Sequence, residues 1–211
     1  MISGRMEYDY SLCAKACGII MTETALADSA VCDGYFKTER FDRRNGKKIF
    51  SISFAGLLEA DFRAPSCDYG IYMKLIRMLT RDNSPDKEQM YRVMCFNILT
   101  HNRDDHTKNF SILYTKDNGW RLAPAYDLTY SDTYWGEQTT SVCGKGKDIS
   151  EKELIKVGTD AGLSKAFCVE CLNDIQDKID VLGLYPGKRN FHKVSKIPQD
   201  ERIAEITGKK S

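Results

Sequence analysis

The stretch "THNRDDHTKNFSILY", residues 100–114, decides how this sequence is interpreted, because it crowds polar side chains at the mouth of a strand. Asp104, Asp105, His106, Lys108 and Asn109 fall within six positions, and the run that follows them is typical of a β-strand. Such a cluster is either turn chemistry on a solvated loop or part of a functional site. The segments on either side of the cluster bear on this choice.

The segment before the cluster, "NSPDKEQMYRVMCFNILTH" (residues 83–101), predicts an amphipathic helix with Ser84 as its cap and Pro85 in its first turn. The segment after it, "NFSILYTKDNGWRLAPAYDL" (residues 109–128), predicts two strands joined by a tight turn at Asp117-Asn118-Gly119. The helix therefore delivers the chain to the polar cluster, and a hairpin follows it.

A hairpin centred on Asn118 places Asn109 opposite Asp127, since each lies nine residues from the centre. The loop that carries Asp104 reaches the same point from the end of the helix. Three oxygen-bearing side chains are therefore expected to converge where a hard cation such as Mg²⁺ could bind.

The spacing also matches the chemistry of protein kinases. Those enzymes use an Arg-Asp pair, an Asn five residues after the Asp, and a second Asp beyond a short hairpin. In this sequence Arg103-Asp104, Asn109 and Asp127 follow that order. The layout suits phosphoryl transfer, because metal ions must meet the developing charge while the nucleophile is held in line.

The composition favours a globular, cytoplasmic protein. The chain has 211 residues, 42% of them hydrophobic, and a formal net charge of +1. This balance does not favour a nucleic-acid or membrane partner, and no apolar run reaches the roughly 18 residues of a membrane span. The eight cysteines are scattered through apparent helices, so we expect reduced thiols. Cys168 and Cys171 form a CxxC in a helical pattern, where buried thiols are more common than a metal site.

Elsewhere the patterns predict a helix over residues 6–18, a hairpin from runs near 19–26 and 32–41, and a helix over 68–82. The sequence "SEKE" from Ser150 is a capping box that begins another helix, and Ser164 begins the next. From residue 186 onward the chain is polar and basic, which predicts a solvated tail.

The run "NRDDHTKNFSIL", followed by "WRLAPAYDL", resembles the HipA family of bacterial serine/threonine kinases, the toxins of toxin–antitoxin pairs. That family carries D-x-H-x-K-N-F-S and then R-L-x-P-x-Y-D. The resemblance implies that Asp104 is the catalytic base and that Asn109 and Asp127 are the Mg²⁺ ligands. His106 and Lys108 fall on the motif's own His and Lys, and are implied to contact the nucleotide.

Two further segments carry the resemblance, which extends over roughly residues 5–182. "ERFDR" is similar to the family's hinge, so Glu39 and Phe41 would meet the adenine of ATP. "GKGKDISEKELIKVGTDAGLS" is similar to its late helical segment. The implied fold is α+β and predominantly helical, a kinase-like C-lobe in which a small β-hairpin carries the metal site. The implied regions are an N-lobe remnant (1–41), the C-lobe (42–185) and a flexible tail (186–211).

The front of the chain departs from the family pattern. Family members have a preceding half-lobe with a phosphate-covering loop and a strand lysine, whereas no glycine-rich loop lies upstream of Glu39 here, and Lys15 falls in a helical pattern. We therefore expect weak binding of ATP with Mg²⁺ by this chain alone. We also expect a partner at an open sheet edge and at a partly uncovered helix face bearing Tyr8 and Leu12. The partner would be a separate N-lobe subunit, an antitoxin or a second copy of the chain, unless the tail from Lys188 folds over this surface.

The leading hypothesis is thus the catalytic portion of a HipA-like kinase that phosphorylates a protein substrate once it is completed. The alternative is a non-catalytic module that binds a partner lobe or an antitoxin. A third candidate, a metal-dependent phosphoesterase using Asp104, His106 and Asp127, needs more metal ligands than the cluster offers. Within the kinase hypothesis, Asp127→Ala is expected to abolish activity and Asp105→Ala to be mild.

Overall fold

The computed structural model describes residues 4–59, 67–132 and 136–182, and its helices and strands confirm the predicted α+β class. The helices are α1 (Gly4–Ala16), α2 (Phe54–Leu58), α3 (Tyr69–Leu79), α4 (Ser84–Leu99), α5 (Glu151–Asp160) and α6 (Lys165–Leu182). The strands are β1 (Thr24–Ala27), β2 (Tyr35–Thr38), β3 (Arg43–Arg44), β4 (Lys47–Lys48), β5 (Phe50–Ser53), β6 (Cys67–Asp68), β7 (Ser111–Thr115), β8 (Gly119–Leu122) and β9 (Thr140–Ser141). A short 3₁₀ helix covers Thr107–Asn109.

The front of the described chain consists of α1 and the antiparallel hairpin β1–β2, which confirms both predicted elements. The expectation of an uncovered α1 face was wrong. Tyr8 is only 7% exposed and Leu12 is half-buried, because α1 packs against both strands and against α6. Within the described residues, β1 and β2 form a sheet of two strands.

Helix α4 runs through the centre of the molecule, and Met90, Met94 and Phe96 are fully buried along it. Its cap is Asn83, not the predicted Ser84, because the Asn83 side chain accepts the hydrogen bond from the Asp86 amide at 3.2 Å. The helix ends at Leu99, directly before the polar cluster.

The predicted hairpin is formed by β7 and β8, and β5 pairs with the other edge of β7. Its predicted register was wrong by two residues. Thr115 pairs with Gly119, whose φ of +66° completes a turn of three residues, so the hairpin centres on Asp117. Continued along the strands, this register would place Asn109 opposite Ala125 and not opposite Asp127.

Four aromatic rings pack beneath the polar cluster and support it. Phe54, Tyr69 and Tyr72 are fully buried, and Phe110 is 5% exposed. The ring centroids of Tyr72 and Phe110 lie 4.8 Å apart, and those of Tyr69 and Tyr72 lie 5.5 Å apart. Because α3 and β7 meet through these rings, the loop before β7 rests on a closely packed base.

The capping box at Ser150 and Glu153 is present and begins α5, as predicted. Cys168 and Cys171 are buried on α6, and all eight cysteines are free thiols. Residues 183–211, which include the predicted tail, lie outside the described residues. In the part of the chain that is described, no helix combines the length and the apolar character that crossing a membrane requires.

Candidate active site

The loop between α4 and β7 reverses direction immediately after the helix. His101 has a φ of +54°, and the amide of Asn102 donates to the carbonyl of Asn97 at 2.9 Å. The chain then extends to the 3₁₀ turn, where the Asn109 amide donates to the His106 carbonyl at 2.9 Å. The turn brings Asn109 back beneath the start of the loop.

Asp104 projects outward from this loop, with 60% of its side chain exposed. The residues on both sides of it are held by the segment at β9. The amide and hydroxyl of Thr139 donate to the carbonyl of Arg103 at 3.0 and 2.8 Å, and Thr140 donates to Asp105. Asp104 is therefore an accessible carboxylate on a backbone fixed at its two neighbours.

Asp105 has the opposite environment, and its contacts lead us to expect a larger effect of its replacement than the sequence alone suggests. It is fully buried, and its carboxylate accepts hydrogen bonds from the Tyr69 hydroxyl at 2.6 Å and from the Thr140 amide at 2.9 Å. The Thr140 hydroxyl donates to the Asp105 carbonyl. Burial raises the pKa of Asp105 to about 7, although these hydrogen bonds act to lower it. Asp105→Ala would leave two buried donors, the Tyr69 hydroxyl and the Thr140 amide, without this acceptor.

Asn109 and Asp127 are brought together, but by the loop after β8 and not by the strand register. Asp127 has a φ of +58°. Burial raises its pKa, the nearby Asp104 carboxylate raises it further, and His106 and a hydrogen bond from Asn109 act in the opposite direction. The side-chain nitrogen Nδ2 of Asn109 also donates a hydrogen bond to the backbone carbonyl of Asp104 at 2.8 Å. The three residues thus converge, as the sequence predicted.

His106 and Lys108 flank this group. His106 Nε2 lies 3.9 Å from the Asp104 carboxylate, and its buried Nδ1 has no hydrogen-bond partner among the described residues. Lys108 is exposed, and its carbonyl accepts a hydrogen bond of 2.6 Å from the hydroxyl of Tyr126. His106 therefore lies at the carboxylates, whereas Lys108 points its side chain toward solvent from the same turn.

The predicted hinge lies beside the site. The ring of Phe41 packs on that of Tyr126 with centroids 5.2 Å apart, and Tyr126 directly precedes Asp127. Phe41 and Glu39 line an open cleft of about 350 Å³, together with Thr22 and Pro124 among others. Phe41, one of the two predicted adenine-contacting residues, therefore contacts the residue that precedes Asp127, a predicted metal ligand.

One residue of the site was missed by sequence reasoning. Glu7 on α1 is partly buried, and its pKa is raised first by burial and then by the Asp127 carboxylate. Helix α1 thus supplies a third carboxylate to the region. No local pattern around Glu7 indicated this, because the electrostatic interaction joins residues 120 positions apart in the sequence.

The donor set suits Mg²⁺ better than a transition metal. No cluster of three or more His, Cys, Asp or Glu side chains that could hold a metal occurs in the described residues. Mg²⁺ commonly takes one or two carboxylates and completes its shell with water and substrate phosphates. Asp127 and the amide oxygen of Asn109 fit that role, and a cation there would relieve the repulsion between Asp127 and Asp104.

The chain is similar to a known protein family over most of its length. The model of the HipA-like C-terminal domain matches residues 2–181. This chain belongs to the HipA-like C-terminal domain family. The motif residues of the HipA-like chain, from Asp104 to Asp127, lie within the matched region.

Two relatives come from Sinorhizobium fredii (strain NBRC 101917 / NGR234). One, named "Putative kinase Y4dM", is 28% identical over 146 residues, which cover 66% of the HipA-like chain and 36% of the relative. The other, named "Putative kinase Y4mE", is 32% identical over 85 residues, which cover 40% of the HipA-like chain and 17% of the relative. The chain therefore spans about a third or less of the length of these relatives.

A solved structure with the same fold is HipA from Shewanella oneidensis MR-1, in a toxin–antitoxin complex with HipB and operator DNA. The TM-score is 0.71 at 19% identity, and the match covers 98% of the HipA-like chain and 54% of the other. At this identity the comparison establishes the fold.

Proposed function

We propose that this HipA-like chain is the catalytic portion of a protein serine/threonine kinase that transfers a phosphoryl group from ATP to a protein hydroxyl. The observation that carries the proposal is the convergence of Asp104, Asn109 and Asp127 beside the hinge residue Phe41. The family and the names of the relatives support it.

In this proposal each residue has a separate task. Asp104 is exposed on a fixed backbone, so it can accept the proton of a substrate hydroxyl that approaches from solvent. Asn109 and Asp127 would hold Mg²⁺, which when bound supplies positive charge to the phosphates of ATP. Glu39 and Phe41 would position the adenine, and His106 would lie close to the phosphates. A phosphate-covering loop and a lysine would come from outside residues 4–182.

The test is the transfer of label from γ-labelled ATP to serine or threonine of a protein extract. It uses the chain alone and the chain mixed with a half-lobe that carries a phosphate loop and a strand lysine. We expect phosphoryl transfer in the mixture. The rate of transfer should fall at least a hundredfold in Asp104→Asn and in Asp127→Asn, because general-base and electrostatic contributions to catalysis are typically of that size. Asp160→Asn, an exposed aspartate on α5, is the control. Full transfer by both site variants would overturn the proposal.

One observation favours a binding role as a second candidate. The sheet β1–β2 has two strands in the described residues, and Tyr35 on β2 is 53% exposed. An open strand edge can pair with another chain, so we propose that a partner lobe or an antitoxin docks there. Light scattering and hydrogen exchange test this. A candidate partner should form a complex and slow exchange of the β2 amides, and a complex that leaves them unchanged would exclude this edge.

A further inference from the structure

A continuous line of buried, hydrogen-bonded side chains runs beneath the site. The Tyr69 hydroxyl donates to Asp105 at 2.6 Å and accepts from the Asn97 amide nitrogen at 2.9 Å. The Asn97 side-chain oxygen accepts a hydrogen bond from the side-chain nitrogen Nδ2 of Asn102 at 3.0 Å. None of these four residues is more than 2% exposed. We call this line the Asp105–Asn102 chain.

Both ends of the Asp105–Asn102 chain lie in the loop that carries Asp104, and the Asn102 end also reaches the loop that carries Asp127. Asp105 directly follows Asp104 in the sequence. At the other end, the Asn102 side chain also donates to the carbonyl of Asp127 at 3.5 Å. The side chains of α3 and α4 therefore hold the Asp104 loop at Asp105 and at Asn102, and Asn102 joins that loop to the backbone of Asp127.

Helix α3 contributes the central link, because Tyr69 both donates to Asp105 and accepts from Asn97. Its ring also packs against Tyr72 and Phe110, with centroids 5.5 and 5.8 Å away. Removing only the Tyr69 hydroxyl would thus interrupt the Asp105–Asn102 chain of hydrogen bonds at its centre and leave the aromatic packing in place.

The chemistry of burial argues that this arrangement has a purpose beyond stability. Polar groups taken out of water recover their hydration only if each finds a partner, and apolar residues would fill the same space without that requirement. A satisfied buried network instead fixes one geometry, because each bond constrains the direction of the next. What the Asp105–Asn102 chain fixes is the separation of the Asp104 and Asp127 loops.

We propose that Asp105, Tyr69 and Asn102 are positioning residues that hold the Asp104 and Asp127 loops at the separation that binding of a divalent cation between them requires. The chemical consequence rests on the proposed function. The geometric claim, that the Asp105–Asn102 chain restrains both loops, stands on the hydrogen bonds alone.

The test compares Tyr69→Phe with Tyr91→Phe in the full chain. Tyr91 is a matched control, since it is equally buried and its hydroxyl donates to the Cys168 carbonyl at 3.5 Å, between α4 and α6. Two quantities are measured, the dissociation constant for Mn²⁺ and the hydrogen-exchange rate of the Asn109 amide. The Cys171 amide on α6 reports general loosening.

We expect Tyr69→Phe to weaken Mn²⁺ binding and to speed exchange at Asn109 by about tenfold each, the effect of one lost hydrogen bond of about 1.4 kcal/mol. Exchange at Cys171 should change no more than in Tyr91→Phe. If Tyr69→Phe does not fold, Asn102→Ala breaks the other end of the chain and should give the same pattern.

Three results separate the claims. The positioning role is overturned if Tyr69→Phe leaves the hydrogen-exchange rate of the Asn109 amide unchanged. It is also overturned if that rate rises only together with the rate of the Cys171 amide. Faster exchange confined to the Asn109 loop with unchanged Mn²⁺ affinity also overturns it. Absence of Mn²⁺ binding by the unsubstituted chain would contradict the proposed function and the cation part of this inference, while selective loosening at Asn109 would still establish the restraint on the loop.

Discussion

At the scale of single residues, two adjacent aspartates divide two tasks. Asp104 keeps 60% of its side chain exposed, whereas Asp105 is fully buried and hydrogen-bonded. The difference arises because Asp105 faces the interior, where Tyr69 and Thr140 bind it, whereas Asp104 faces solvent. One carboxylate is available to a substrate, and the other anchors the loop to α3 and to the segment at β9.

This division predicts a pH dependence of stability. The pKa of Asp105 is raised by burial from 3.8 to about 7 in the folded protein. Between about pH 4 and pH 7 the folded protein therefore keeps a proton that the unfolded chain has released, so stability should fall as the pH rises through this window. The contribution of this one group is at most about 1.4 kcal/mol per pH unit.

Denaturant unfolding at several pH values measures how the free energy of unfolding depends on pH. Asp105→Asn should remove this slope, and the difference between the two proteins isolates Asp105 from Glu7 and Asp127, whose pKa values are also raised. Parallel curves for the two proteins from pH 4 to pH 7 would show that Asp105 is ionised in the folded state at low pH, against this account.

At the scale of elements, helix α5 packs tightly against α6 and α4 at Gly158. A Cβ atom built there would meet the Cys168 sulfur at less than a van der Waals contact, and it would lie 2.7 Å from a ring carbon of Tyr91. Only glycine lets these helices approach so closely. This contact keeps α5 and α6, the late helical segment, against the central helix.

We therefore expect Gly158→Ala to lower the free energy of unfolding by about 1 kcal/mol. The overpacking costs about 1–3 kcal/mol and exceeds the gain of about 1 kcal/mol in helix propensity. The melting temperature should fall by about 2–4 °C. Gly146→Ala is the control, because its Cβ would have ordinary room, with the nearest atom 3.4 Å away. A more stable Gly158→Ala protein would contradict the packing described.

The elements also show what the sequence could and could not predict. Capping residues, the tight turn and the motif spacing are local signals, and they predicted α5, the β7–β8 hairpin and the grouping of Asp104 with Asn109. The register failed because one residue, Gly119, belongs to the strand and not to the turn. The burial of Asp105 and the approach of Glu7 depend on contacts with α3 and α1, which no local pattern encodes.

At the scale of the whole molecule, the described residues bring the acidic residues close to Phe41, the predicted hinge residue, and their sequence contains no glycine-rich phosphate loop upstream of Glu39. We expect this chain alone to bind ATP with Mg²⁺ only at roughly millimolar dissociation constants, or about −4 kcal/mol, since adenine contacts act without a grip on the phosphates. Calorimetry with ATP and Mg²⁺ measures this. Micromolar, metal-dependent binding would mean that the phosphates are held by residues other than those named here.

The central claim is that Asn109 and Asp127 form a cation site beside Asp104, and mapping Mn²⁺ by paramagnetic broadening of NMR signals tests it most directly. The full chain is titrated with Mn²⁺, and the amides that lose intensity first identify the site. The account predicts that residues 104–109 and 126–128 broaden first, and that Asp127→Asn abolishes the effect while Asp160→Asn leaves it unchanged. First broadening at another acidic group, such as Asp160 on α5, or equal broadening in Asp127→Asn, would contradict it.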